Sequence, residues 1–145
     1  MIDEIAGITR ADEARGQTVW HILGQTYTLK QVSESSIAWH ALFPAGTFVP
    51  PHVHHTQEEY IYVLTGRYNL LLDGREQIAE PGDLVRMPRG MPHGIFNKTD
   101  ADATSLFWAS PTSKLEQLFR NIDRVPDPAE VVRICADFDV DFLPL

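Results

Sequence analysis

Two histidines and a glutamate lie close together between Gly46 and Gly66, in an order that suits metal binding. His52 and His54 are two residues apart, so on a β-strand their side chains point to the same face. Imidazoles about 6.6 Å apart along a strand can converge on one metal ion. Glu59 follows at the head of the next apolar run and enters beside them. His55 points to the opposite face and is expected at the surface or rim.

A second segment, Gly82 to Asn97, places a further histidine after a Pro-Arg-Gly-Met-Pro turn and before a short strand. The first segment matches the cupin motif G-x5-H-x-H-x4-E-x6-G at Gly46, His52, His54, Glu59 and Gly66. The second matches the cupin motif G-x5-P-x-G-x2-H-x3-N at Gly82, Pro88, Gly90, His93 and Asn97. The chain therefore resembles small single-domain cupins, and the resemblance implies a metal site made of these three histidines and Glu59.

The resemblance also implies a class of cofactor and of reaction. Imidazole and carboxylate ligands suit Fe, Mn, Ni, Cu or Zn, and affinity alone does not choose among these divalent metals. The ligand set resembles that of quercetin dioxygenase-type cupins, in which the glutamate also acts as a base. This predicts an oxygenase for an aromatic or enol-bearing small molecule, with Glu59 as the catalytic residue. Histidine must be neutral to bind a metal, so we expect affinity to weaken between roughly pH 6 and 5.

Two other functions stay open at this point. A cupin isomerase or lyase would use zinc or manganese as a Lewis acid instead of activating oxygen. A non-catalytic sensor or small-molecule-binding cupin would carry the same fold. The sequence has neither a helix-turn-helix pattern nor a basic region, so a regulatory role would require a partner protein.

Short strand patterns separated by turn signals fill the region from about residue 17 to 110. Besides the strand that carries His52 and His54, the predicted strands are Thr18–Leu23, Thr26–Val32, Ser36–Phe43, Glu58–Leu64, Tyr68–Leu72, Gln77–Ala79, Leu84–Met87, His93–Asn97 and Thr104–Ala109. Strands of this length and spacing are typical of a sandwich or barrel. With the resemblance, they predict an all-β fold: an antiparallel double-sheet cupin barrel of jelly-roll type.

The pattern changes to helical after Pro111. Ser113 and Glu116 predict a capping box that opens a helix over Lys114–Asn121. A second helix is predicted to begin after Asp127 and end near residue 137. One face of it is apolar and should pack on the barrel: Val131, Ile134, Cys135 and Phe138. We expect one domain over residues 1–145, with residues 111–145 as a helical C-terminal extension.

The composition and charge of the chain limit the classes of partner that we expect. The 145 residues include 12 basic and 20 acidic side chains, which gives a net charge of −8. Nucleic acid and anionic membranes both require a basic surface, so neither is expected as a partner. The single cysteine cannot form an internal disulfide, and the first residues lack a signal-peptide pattern, so we expect a cytoplasmic protein. The resemblance to small cupins further implies a homodimer that acts on a small molecule.

Some residues stay ambiguous at the sequence level. His40 lies in phase with Ala38 and Leu42 on a predicted strand, where it could enter the cavity or be a satisfied polar group. The aromatic residues are core by default, although some must line the barrel mouth. The sequence does not say which: Trp20, Trp39, Tyr60, Tyr62, Phe107 or Trp108.

Overall fold

Strands dominate residues 4–144, the part of the chain that this computed structural model describes. These residues form eleven β-strands, two α-helices and a 3-10 turn at Arg15–Gln17. In chain order the elements are β1 (Val19–Ile22), β2 (Gln25–Val32), β3 (Ile37–Phe43), β4 (Phe48–His54), β5 (Glu58–Thr65), β6 (Tyr68–Leu72), β7 (Arg75–Ala79), β8 (Leu84–Met87), β9 (His93–Phe96), β10 (Ala103–Ser110), α1 (Leu115–Ile122), α2 (Pro128–Ala136) and β11 (Val140–Phe142).

The strands form two antiparallel sheets. The six-stranded sheet has the order β1-β2-β3-β10-β5-β8, and the five-stranded sheet has the order β11-β4-β9-β6-β7. From β3 onwards the chain passes back and forth between the sheets, apart from the β6–β7 hairpin, and this brings the two histidine segments and the glutamate together. The predicted antiparallel double-sheet barrel with C-terminal helices is confirmed.

The core lies between the sheets and follows the two-residue period of the strands. In β10 every second residue is buried, and β3 shows the same alternation. Aromatic rings dominate the centre, with the Trp39 and Phe107 ring centroids 5.4 Å apart and those of Phe43 and Phe107 6.0 Å apart. Such offset ring pairs add stability beyond the area that they bury.

Strand β4 carries two of the predicted metal ligands and is held on both sides. The pairing of β4 with β9 shifts register between Val49 and His52, where Pro50 and Pro51 interrupt the ladder. Proline has no N–H to donate, so in a central strand it is tolerated at such an irregularity. After the shift, His52 lies directly opposite His93. On its other edge β4 pairs with β11.

The second predicted helix begins as expected. The Asp127 side chain accepts a hydrogen bond from the Ala129 N–H at 3.0 Å, and Pro128 is the first helical residue. Two residues of the predicted apolar face, Val131 and Cys135, are buried in the core. Helix α2 thus packs on the barrel through the predicted face.

The predicted capping box of α1 is wrong. The N-cap residue is Lys114, without a side-chain capping bond, and Ser113 precedes it with a positive φ of 47°. Contacts with the barrel fix the chain just before the helix: the Thr112 N–H donates to Glu34 O, and the Thr112 hydroxyl donates to Ser33 O. These tertiary contacts override the local capping preference.

The C-terminal extension is not purely helical. After α2 the chain returns to the five-stranded sheet as β11, whose Val140 and Phe142 pair with His54 and His52. The extension therefore supports the strand that carries the histidines as well as covering the barrel.

Candidate metal centre

Three of the predicted ligands converge in the barrel. His52 and His54 on β4 and His93 on β9 each offer one ligand nitrogen, and these atoms all lie within 4.8 Å of one another. The ring centroids of His52 and His93 are 4.4 Å apart, and all three side chains are buried. The spacing of two residues along β4 and the cross-strand pairing with β9 together produce this cluster.

Backbone carbonyls fix the ring orientation of two of these histidines. His52 Nδ1 lies 2.8 Å from Pro50 O, and His93 Nδ1 lies 3.2 Å from Met91 O. A carbonyl oxygen can only accept, so the hydrogen sits on Nδ1 in both rings. Each Nε2 is then left with a lone pair, as a metal ligand requires.

The third ring is oriented by a glutamine in the turn between β4 and β5. His54 Nδ1 lies 3.2 Å from Gln57 Oε1, and Gln57 Nε2 donates to Thr112 O at 2.8 Å. The second bond fixes the amide so that its oxygen faces His54. Gln57 is 2 % exposed. No spacing rule marks it in the sequence, since its role depends on the fold placing Thr112 beside it.

Burial keeps the imidazoles neutral. Desolvation lowers the pKa of His52 well below its ordinary value, that of His54 to about 4 and that of His93 to about 3. His93 Nε2 is a buried atom that has no hydrogen-bond partner among the described residues. Neutral rings with oriented Nε2 lone pairs, one of them unpartnered, are a donor set that fits a divalent transition metal.

Glu59 reaches the cluster from the opposite sheet. It lies on β5, between Ala109 of β10 and Met87 of β8, and is 4 % exposed. Its Oε2 is 3.1 Å from His54 Nε2, but Glu59 lies outside the group of atoms that are mutually within 4.8 Å. Burial raises its pKa to about 8. Near neutral pH the metal-free side chain is therefore protonated and donates to the neutral His54.

Three other titratable residues lie outside this cluster: His55, Glu58 and His40. His55 is half exposed and contacts Asp141 Oδ2 at 2.8 Å, on the face predicted for it. Glu58 points outward and forms an ion pair with Arg86 at 3.0 Å. His40 alternates with the buried Trp39 on β3, so its side chain is on the outer face of the sheet and not in the cavity.

A small apolar cavity adjoins the cluster. Its volume is about 50 Å³, and His52, His54 and Glu59 line one part of its wall. The rest of the wall is mainly aliphatic and aromatic, with Trp39 and Phe107 among the aromatic residues. Helices α1 and α2 contribute several lining residues and cover the cavity: Leu115, Leu118, Phe119, Ile122, Val131 and Cys135.

Comparison with known proteins agrees with this architecture. Residues 39–109 match the cupin domain family. Quercetin 2,3-dioxygenase of Bacillus subtilis (strain 168) is 32 % identical over 85 residues, which cover 59 % of this chain and 25 % of that protein. The structure of KdgF from Halomonas sp. superposes with a TM-score of 0.64 at 20 % identity, over 74 % of this chain and 94 % of that one.

A second solved structure is a sugar phosphate isomerase from a cupin superfamily in Silicibacter pomeroyi. It is 25 % identical, with a TM-score of 0.58, and the match covers 73 % of this chain and 70 % of that one. The chain spans less than two thirds of the length of each of the three curated relatives that it matches. Across residues 4–144, neither helix has the length and apolar character needed to cross a membrane. Residues 39–109 thus resemble a cupin domain, and the chain has the cupin jelly-roll fold.

Proposed function

We propose that this cupin is a metal-dependent oxygenase for a small aromatic or enol-bearing molecule. The observation that carries the proposal is the cluster of three neutral, oriented imidazoles beside a buried carboxylic acid, at the wall of an apolar cavity. His52, His54, His93 and Glu59 would hold one divalent ion, of Fe, Mn, Ni, Cu or Zn. Such an ion would supply Lewis acidity and, if redox-active, electron transfer between substrate and dioxygen.

Glu59 would act as the general base. Burial raises the pKa of Glu59 to about 8 in the metal-free protein, and a bound cation would lower it towards the working pH, where proton transfer is most efficient. Enols and phenols are weak acids that become more reactive towards oxidants when deprotonated. A carboxylate beside His54 could accept the hydroxyl proton of such a substrate and hold it within the apolar wall.

The cavity would exclude water and restrict substrate size. A volume of about 50 Å³ has room for only a few water molecules. A molecule as large as a flavonol exceeds this volume, so the cavity would have to widen to admit it. The present conformation therefore favours a smaller substrate than quercetin.

Replacement of Glu59 tests the proposal. With the metal-loaded protein, oxygen uptake is first measured across catechols, enol-diketones and flavonols to find a substrate. Glu59→Gln should then keep most of its metal but lose roughly 10²- to 10⁴-fold in turnover, because an amide of similar shape cannot take the proton. Undiminished turnover in Glu59→Gln would rule out the base role.

A metal-dependent isomerase is the second candidate, favoured by the similarity to the sugar phosphate isomerase. Glu59 would again move a proton, but no oxygen would be consumed. Absence of oxygen uptake with every compound and metal would favour this function or a non-catalytic sensor.

We also propose a homodimer in the cytoplasm. Apolar side chains are exposed on the outer face of the six-stranded sheet, where Tyr62 and Leu84 are paired neighbours and Leu64 lies two residues along. Exposed apolar patches of this kind favour association. The single cysteine, Cys135, is buried, which suits a reducing compartment.

A further inference from the structure

Two buried side-chain atoms in residues 4–144 have no hydrogen-bond partner, and both belong to the region around the cavity. One is His93 Nε2, which a metal ion would satisfy. The other is Trp39 Nε1, on a side chain that is 2 % exposed and lines the cavity. An unpartnered buried donor destabilises the folded chain and calls for an explanation.

Outside the metal cluster, the other strong donor of the cavity wall is already engaged. The Tyr27 hydroxyl donates to Gln25 Oε1 at 3.1 Å, and Gln25 is held in turn by the Leu23 and Phe48 carbonyls. Cys135 offers only a weak S–H donor, and burial raises its pKa to about 12, so it stays a thiol. Trp39 is thus a strong donor on the cavity wall that lacks a protein acceptor.

We propose that Trp39 Nε1–H donates a hydrogen bond to an oxygen of the ligand in this cavity, which makes Trp39 a specificity-determining residue. The inference rests on the proposed function, since the metal would hold the same ligand. It also names the ligand class: a small enolate- or carboxylate-type anion with two oxygens. A site built to donate to an oxygen rejects an analogue that lacks it, because the donor is then left buried and unpaired.

A contact with Phe119 is the competing explanation. The Phe119 ring centroid is 5.0 Å from that of Trp39, with the planes at 79°. In this geometry the indole N–H could face the aromatic ring, a weak interaction worth less than an ordinary hydrogen bond. The experiment has to distinguish an oxygen acceptor from this ring.

Indole NMR of the zinc-loaded full chain makes that distinction. The protein has three tryptophans, so ¹⁵N-tryptophan labelling gives three indole N–H signals. Trp39→Phe identifies the Trp39 signal; if that variant does not fold, Trp20→Phe and Trp108→Phe identify it by elimination. The probe is acetohydroxamate, a planar metal-binding anion with two oxygens and five heavy atoms.

We expect the Trp39 signal to move downfield and saturate as acetohydroxamate binds. Trp39→Phe should bind the probe roughly 2- to 10-fold more weakly, the effect of losing one hydrogen bond. Trp108 is the matched control, because it lies on the outer side of β10, where it stacks on Tyr60 at 5.1 Å. Its signal should stay in place, and Trp108→Phe should leave the affinity unchanged.

Two results would overturn the inference. The first is that acetohydroxamate binds to the zinc-loaded protein while the Trp39 signal does not move. This would indicate that the Trp39 indole N–H faces the Phe119 ring and not the ligand. The second is zinc binding without acetohydroxamate binding. Failure of the chain to bind zinc at all would instead refute the metal site, and with it both proposals.

Discussion

The Nδ1 partners of the histidines are as important to the candidate site as the histidines themselves. Two rings are fixed by backbone carbonyls that no side-chain substitution removes, whereas His54 depends on a side chain, Gln57. Partners that orient metal ligands usually contribute 10- to 100-fold in metal affinity. Gln57 is therefore the place where this orientation can be tested by mutation.

Gln57→Leu should weaken zinc binding by about 10- to 100-fold, measured by competition with a chelator. The change leaves the His54 ring without its acceptor and Thr112 O without its donor. Gln77→Leu is a matched control, because that glutamine lies exposed on β7. Equal zinc affinity in the wild type and Gln57→Leu would show that His54 needs no such support.

The stability of the metal-free protein should be greatest near pH 6.5. Below that pH the three histidines are protonated in the unfolded chain, but they stay neutral in the folded chain because burial lowers their pKa values. The unfolded state therefore binds more protons, and stability falls as pH decreases. Glu59 acts in the opposite sense: its pKa is raised from 4.5 to about 8, so the stability that it contributes at low pH is lost as pH rises through about 8. Below pH 6.5 three histidines outweigh one glutamate.

Urea unfolding of chelator-treated protein between pH 5 and 8 measures this dependence. Each proton changes the free energy of unfolding by about 1.4 kcal/mol per pH unit. In Glu59→Gln the decline between pH 6.5 and 8 should disappear. A wild-type stability that rises steadily from pH 6.5 to 8 would contradict the assigned Glu59 pKa.

Motif spacing predicted which residues would gather, but not their environment. An ordinary histidine pKa predicts that metal affinity weakens between roughly pH 6 and 5. Burial lowers the pKa values of His54 and His93 to about 4 and about 3. Protons therefore compete with the metal for these two histidines only at a lower pH. Neither this shift nor the contact of Gln57 with Thr112 can be read from local sequence, because both arise from the packing of distant segments.

The strands were the elements that the sequence predicted best, because alternation of apolar and polar residues reflects which face of a strand is buried. The capping box before α1 failed where barrel contacts fix the chain around Thr112. Strand β11 has three residues, too few to show a period, and its place beside β4 is a tertiary feature. Local patterns thus predicted the barrel, while the supports of its histidine strand depended on the complete fold.

The outer face of the six-stranded sheet should form the dimer interface. Leu84 is 60 % exposed and lies directly opposite Tyr62 on the neighbouring strand. Leu84→Asp would place a charge in that apolar contact and should convert dimers to monomers, as measured by light scattering after size exclusion. Ile78→Asp is the control, since this residue is 55 % exposed on β7 of the other sheet. A wild type that is monomeric at high concentration would contradict the proposed dimer.

At the scale of the whole molecule, the two sheets and the C-terminal extension all contribute residues to the candidate site and its cavity. The five-stranded sheet supplies three histidines, the six-stranded sheet supplies Glu59, and α1 and α2 cover the cavity between them. A metal ion bound there would link both sheets and, because it binds only the folded chain, would stabilise the protein by mass action.

Metal content of protein purified without an affinity tag or added metal tests the central claim most directly. We predict about one divalent transition metal ion per chain in the wild type, as expected for a single three-histidine site. His52→Ala, His54→Ala and His93→Ala should each lose most of this metal and unfold at lower temperature, while His55→Ala should keep it. Full metal content in all three of the first variants would contradict the account.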